Sequence, residues 1–352
     1  MSELLARHGW IRSSLPVLGA LLIVMVLPSI ISGSFWQQVL IIALLNVSLA
    51  MSLNLVVGYT GLLALGHGAF FGIGAYTSAI LTTTYEWPFW VAFLIGGLAA
   101  GLCGMVLAAF TLRLKGHYLA IATLGFAVIV YSTLMNWISV TRGPQGIPGI
   151  PGPPDIPLGG GSTLDFDVKA AYLLLAGVFA IFWYVVIRRI IRSPMGDALT
   201  AIREDEVSAL SLGIRSFAWK SYAFTLSAVI AGLTGGLYAG YVGILEPSTF
   251  ILTVSFTLLA MVIVGGAGTL LGPVIGALVL TAAPEALRNV GAEYRLIVYG
   301  LALTLTVLFF PQGLAGIGAL VRNKLGRPRP ETDDPPPPTF RSSNEEVSLG
   351  AP

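Results

Sequence analysis

The sequence predicts an all-α polytopic membrane protein of about ten spans with glycine-interrupted helices. Three observations predict it. The 352 residues are 55% hydrophobic and only 10% charged, where soluble domains carry ~25% charged residues; the mean hydropathy is +0.84. Apolar runs near bilayer-spanning length recur along the chain, divided by basic or Gly/Pro-rich breaks. Glycine crowds two of those runs, and a glycine-rich membrane helix either packs very closely or breaks its ladder.

The net charge of +2 says nothing about nucleic acid, because in a bilayer protein charge matters through its distribution among loops. Cys103 is the single cysteine and can form no intrachain disulfide; with three scattered histidines it makes no metal-ligand set.

Arg7, His8 and Arg12 precede an apolar run over 15–31, which makes 1–14 a cytoplasmic N-terminus. The same run also reads as a signal peptide with small residues at 32–34, and both readings stand. The membrane domain covers 15–312. Its second span, 35–57, holds Asn46, Ser48, Ser52 and Asn54 at spacings that can share a protein-facing side. The third, 61–83, follows from G-Y-T-G-L-L-A-L-G-H-G-A-F-F-G-I-G-A-Y, which begins at Gly58. Two readings stand for it. A broken helix would expose N–H and C=O groups that need a cavity or protein partners, whereas a continuous helix would use its glycines only for close packing.

The fourth span, 88–112, ends at Arg113 and Lys115, a cytoplasmic turn. The fifth, 117–139, leads to a long outer loop, 140–168, whose G-P-Q-G-I-P-G-I-P-G-P-P cannot continue a helix. The sixth begins at Lys169 and returns to Arg188, Arg189 and Arg192, the strongest inside signal. Residues 193–216 form a cytoplasmic insert of two short helices. Ser193 is placed to cap the first with Pro194 in its first turn; Asp205 is placed to cap the second, which stops at Gly213.

Spans over 217–241, 253–265, 270–283 and 295–311 follow, with a second glycine interruption, V-G-G-A-G-T-L-L-G-P, at 264–273. The runs beside it are short for a ~30 Å core. The two interruptions fall at matching places in two five-span halves, which makes an inverted repeat possible. Arg322, Lys324, Arg327 and Arg329 put both termini inside, and 313–352 is a cytoplasmic, largely disordered tail.

Missing chemistry narrows the function. No Asp or Glu falls in the middle of a span, so His67 is the one residue placed to change charge within the membrane. No Gly-Lys dipeptide occurs, hence no P-loop, and neither H-E-x-x-H nor G-x-S-x-G is present. The chain reads as a passageway, not an enzyme, and draws its energy from elsewhere.

Those same runs carry a resemblance. Gly58 to Thr77 resembles the signature of branched-chain amino-acid ABC-transporter permeases of the LivM type. Gly116 to Phe126, Gly143 to Pro151, Ala201 to Ile214 and Val262 to Ala277 are similar to further runs of that family, and the resemblance covers 46–314. Urea and short-amide permeases carry similar signatures.

The resemblance implies a transport subunit of a bacterial cytoplasmic membrane that binds no cofactor itself. It implies a second related permease, two cytoplasmic ATPases using ATP and Mg, and an extracytoplasmic binding protein. The 193–216 insert would couple to an ATPase, with Arg203, Glu204, Asp205 and Glu206 exposed for ion pairs. Classical importers carry a Glu-Ala-Ala motif in the corresponding loop, which is matched only loosely here, since Val207 and Ser208 follow Glu206.

An amino-acid substrate presents a carboxylate and an apolar side chain. Free N–H groups at a broken-helix start can meet the carboxylate, which makes Gly66, His67 and Gly68 candidates, with Thr123 and Gly125 opposite. Phe70 and Tyr76, with Phe71, are placed to shape an apolar path. Plain helix or lipid packing accounts equally for these aromatics, and a hydrogen-bonded core histidine for His67. A secondary transporter acting alone is the rival class; an intramembrane enzyme using His67 has no paired constellation to support it.

Overall fold

The computed structural model describes residues 33–286, apart from 115, 160, 161, 165 and 167, together with Gly300. The expected first span, the tenth apart from Gly300, both termini and the tail lie outside the described residues. The rest is an all-α bundle. Its helices are α1 (Ser34–Thr60), α2 (His67–Thr83), α3 (Phe89–Thr111), α4 (His117–Asn136), the single turn α5 (Ile138–Thr141), α6 (Lys169–Ile191), α7 (Pro194–Glu204), α8 (Glu206–Ser211), α9 (Ser216–Val242), α10 (Leu252–Gly265) and α11 (Gly272–Ala286). Among the described residues α1, α3, α4, α6 and α9 are long and apolar enough to cross a membrane. By contrast α2, α10 and α11 have 17, 14 and 15 residues, about 21–26 Å at 1.5 Å per residue, short of a ~30 Å core.

The third span differs from a single run over 61–83. Helix α1 ends in a left-handed turn at Gly61 (φ 71°), a conformation that costs glycine nothing. Residues 61–66 are non-helical, and α2 starts only at His67. The interruption is therefore real, at the first glycines of the signature. Gly72 and Gly74 remain helical and serve packing.

That packing is backbone on backbone. A Cβ on Gly96 of α3 would lie 2.7 Å from Gly74 O, and one on Gly236 of α9 would lie 2.7 Å from Ser78 Oγ of α2. A Cβ on Gly74 would run into the backbone of Gly232. Helices α2, α3 and α9 thus form a tight three-helix core, the close approach that small residues permit in a bilayer, where dispersion must hold helices together. The opposite face of α3 exposes Leu94, Leu98, Leu102 and Phe110. In hydrocarbon this outward apolar face carries no penalty.

At the far end from α7 and α8, the Gly/Pro loop is ordered. Strand β1 (Ile147–Pro148) pairs antiparallel with β4 (Ile244–Leu245), and Ile150 N–H donates to Gly243 O at 3.0 Å. A second two-stranded pair joins β2 (Ile156–Gly159) to β3 (Ser162–Leu164). The β1–β4 contact ties this loop to the segment that leads, through a 3₁₀ turn at Pro247–Phe250, into α10.

Candidate functional site

Both glycine interruptions come together, and the candidate site is built around them. His67, the first residue of α2, is buried at 3% exposure, with Nε2 2.7 Å from Ser52 Oγ. Ser52 Oγ also donates to Leu49 O at 2.7 Å. The hydroxyl has one proton, so with it on Leu49 the histidine Nε2 is the donor. His67 therefore lies level with Ser52, eight residues back along α1 from Thr60, about 12 Å into the bundle. Residues 61–66 fold back inward to reach it.

Thr123 of α4 braces that return. Its Oγ1 accepts from Leu65 N–H at 3.0 Å, and a Cβ on Gly66 would lie 2.6 Å from Thr123 O. The next donor, Gly68 N–H, is met by Ser255 Oγ of α10 at 2.9 Å. Two helix N-termini thus meet inside the bundle, α2 running toward the long-loop face and α10 toward the α7–α8 face. The expectation of free N–H groups at Gly66–Gly68 is corrected at Gly68: in this conformation Ser255 holds that donor. Ser227 of α9 closes the cluster, donating to Ser52 O at 2.6 Å.

Phe70 belongs to the same cluster, its ring 6.2 Å from that of His67, 5.4 Å from Phe126 and 5.7 Å from Phe224. Tyr76 does not. It lies further along α2 in an aromatic group with Phe71, Tyr238 and Phe250, and its buried hydroxyl has no hydrogen-bond partner among the described residues. Tyr238 of that group also lines a cavity of about 430 Å³ with Gln38, Lys169, Tyr172 and Tyr241 at the long-loop face. Gly125 joins neither cluster, because a Cβ there meets nothing within 4 Å. The structure thus brings together Gly66, His67, Gly68, Phe70 and Thr123, and leaves Tyr76 and Gly125 apart.

Ser227 and Ser255 escape a reading of the sequence. Each is a single hydroxyl in an apolar run, and only the fold shows what it faces. The expectation that Ser52 and Asn54 share one side of α1 is corrected: two residues apart, they point about 200° from each other, Ser52 to His67 and Asn54 to the second interruption. Asn54 clamps the second interruption, its Oδ1 accepting from Gly268 N–H and its Nδ2 donating to Thr269 O, both at 2.9 Å. Asn46 Nδ2 reaches Thr281 Oγ1 of α11 at 3.0 Å.

At the opposite face, α7 and α8 form the expected pair of short helices. Ser193 stands at the N-cap position with extended backbone, yet its hydroxyl donates to Ile190 O at 2.6 Å and caps nothing. Asp205 does cap α8, accepting from Val207 N–H at 2.8 Å, Ser208 N–H at 3.2 Å and Ser208 Oγ at 2.7 Å. The Ser208 hydroxyl foremost, then the two N–H groups, hold its carboxyl below the usual aspartate range. A depressed folded pKa means this contribution is complete above the ordinary aspartate range and fades as pH falls through the folded value. Asp205→Ala is expected to speed hydrogen exchange at Val207 and Ser208 near pH 7, with Asp205→Asn in between; unchanged exchange in Asp205→Ala removes the cap from this account.

Arg203, Glu204 and Asp205 are exposed and Glu206 is half-buried, and three of the four already have partners. Glu206 pairs with Lys220 Nζ of α9 at 2.7 Å, Asp205 is used as the cap, and Arg203 Nη1 donates to Gly58 O at 2.6 Å. Glu204 is exposed, with no polar side-chain partner among the described residues.

Comparison with known proteins agrees with this architecture. The family model described as "branched-chain amino acid transport system / permease component" matches residues 35–307. The high-affinity branched-chain amino acid transport system permease protein LivM of Escherichia coli (strain K12) is 38% identical over 290 residues, covering 78% of this chain and 68% of LivM. LivM of Salmonella typhimurium is 36% identical over 322 residues, 86% of this chain and 75% of that protein. The LivH permease protein of E. coli K12 is 25% identical over 285 residues, 76% and 90% of the two chains. No solved structure matches. The chain belongs to the permease-component family of branched-chain amino acid transport systems.

Proposed function

We propose that this chain is the membrane subunit of an ATP-driven importer of branched-chain, aliphatic amino acids in a bacterial cytoplasmic membrane. It works with a second related permease, two cytoplasmic ATPases that use ATP and Mg, and an extracytoplasmic binding protein. The α7–α8 face is cytoplasmic, as are both termini, and the 140–168 loop receives the binding protein. Similarity to both LivM and LivH supports a pairing of two related permeases.

One observation carries the coupling part of this reading. Helix α7 packs directly beneath the broken end of α1, where Leu199 is buried with Leu55, Tyr59 and Ala223. Beside it, Val207, Leu210 and Leu212 stand 70%, 54% and 80% exposed on a charged face. Exposed apolar side chains rimmed by charge mark a protein-docking edge, the surface this reading offers to an ATPase.

Substrate then passes the His67 cluster. Gly68 N–H, at a helix N-terminus, is the donor for the carboxylate, and it becomes available when α10 rocks away from α2 and carries Ser255 with it. Phe70 and the Phe71–Tyr76–Phe250 group offer the aliphatic side chain an apolar wall. The binding protein supplies affinity, so contact in the membrane is brief.

Purification from the native membrane in mild detergent, followed by mass spectrometry of everything retained, tests the assembly. Two P-loop ATPases and a second permease are expected. A chain recovered alone that still carries solute in liposomes without ATP would contradict the reading in favour of a secondary transporter.

A further inference from the structure

The insert residue Arg203 is exposed, yet its side chain also reaches the membrane body and touches both interruptions. The Arg203 stem crosses the start of the first: a Cβ on Gly61 would lie 3.3 Å from Arg203 Cγ. Its Nη1 donates to Gly58 O at 2.6 Å. In the second interruption, a Cβ on Gly268 (φ 77°) would run into that same Nη1. One guanidinium therefore sits where the end of α1, the 61–66 return and the 266–271 turn converge.

The backbone explains why a cation is wanted there. In a continued helix Gly58 O would accept from the N–H of Leu62. That N–H goes to Val56 O instead, at 3.4 Å, as does the N–H of Gly61. The Gly58 carbonyl is thus released by the helix just where the negative end of the α1 dipole lies. Arginine answers both needs with a fixed charge and a planar fork of five donors. Asn54, one turn earlier on α1, binds Gly268 N–H and Thr269 O, so the two interruptions already form one block. A Cβ on Gly58 would collide with Asn54 Oδ1 and Gly268 N, so the two interruptions pack too closely there for any side chain.

We propose that Arg203 is a positioning residue that ties the cytoplasmic insert to both interrupted helices at once. Movement of α7 then reaches the His67 end of α2, through 61–66, and the α10–α11 turn in one step. Leu199 seats α7 on α1 by apolar contact; Arg203 is the directional link to the breaks. The inference rests on the reading of an ATP-driven importer, and its test separates the two.

The test uses the complete transporter in proteoliposomes, with ATP hydrolysis and leucine uptake measured in the same vesicles. In R203Q, assembly and ATP hydrolysis are expected within about twofold of wild type, while leucine carried per ATP falls at least about tenfold, the scale of one charge-assisted hydrogen bond. R203K, a point charge without the fork, is expected to fall about threefold or more. Wild-type leucine per ATP in R203Q overturns the inference. Should R203Q fail to assemble, R203K decides by the same ratio. A wild-type complex whose uptake ignores ATP would instead count against the importer reading, whatever the variants do.

Discussion

Valine at Gly74 is expected to remove the folded protein from detergent extracts, whereas alanine at Gly125 is expected to be tolerated or mildly stabilising. The difference lies in what each new side chain meets. At Gly74 it meets the Gly232 backbone across the α2–α9 contact, while at Gly125 it meets open space. Overpacking a core costs about 1–3 kcal/mol when neighbouring side chains can yield. Here a helix backbone must move, so the cost reaches the top of that range, a large share of any domain's stability. In α4 the exchange of glycine for alanine gains up to about 1 kcal/mol of helix propensity. Size-exclusion chromatography of a fluorescently tagged chain reads both. A monodisperse Gly74→Val peak equal to wild type would show that the three-helix core is looser than described.

Alanine at His67 is expected to lower uptake by about tenfold or more while leaving assembly intact. The imidazole joins α2 to α1 through Ser52 and stacks edge-on against Phe70, so its loss removes the Nε2 hydrogen bond and leaves a buried void. The three-helix glycine core does not depend on it. His67→Gln, which keeps an N–H donor, is expected to recover part of the uptake. Full uptake by His67→Ala at normal abundance would make His67 an ordinary packed histidine and remove it from the mechanism.

The helical plan was legible because hydrocarbon forces every spanning segment to be long, apolar and helical. Helices α1, α3 and α9 fall within three residues of the expected spans at each end. α6 starts at the expected Lys169 and runs to Ile191, since long basic side chains such as Arg188 can continue a helix beyond the apolar core. Residues 61–83 were harder. Glycine density marks a weak stretch without saying which glycine yields, and the outcome depends on whether partners exist for the freed backbone. Gly61 yields because Arg203 and Thr123 meet the groups released around it; Gly72 and Gly74 stay helical because Phe250 and Gly232 press against them.

The candidate site was legible in part for the same reason. His67 between two glycines was conspicuous, and its place at a helix start followed from the break. Ser255 and Ser227 were not, because one hydroxyl in an apolar run has no periodicity to betray it. Charge announced the insert but not its direction. Arg203 looks like any surface arginine until the fold sets it under Gly58 O. Asp205 was readable, since a short polar side chain before a helical turn has a local partner that needs no knowledge of the fold.

The most direct test of the central claim is uptake by the purified complex in liposomes. ATP is enclosed on the ATPase side, and the binding protein is added outside with labelled leucine, isoleucine, valine or urea. The account expects the three aliphatic amino acids to accumulate only with hydrolysable ATP and the binding protein present, with urea excluded. Uptake by this chain alone, unaffected by ATP, or accumulation of urea in place of the amino acids, would contradict it.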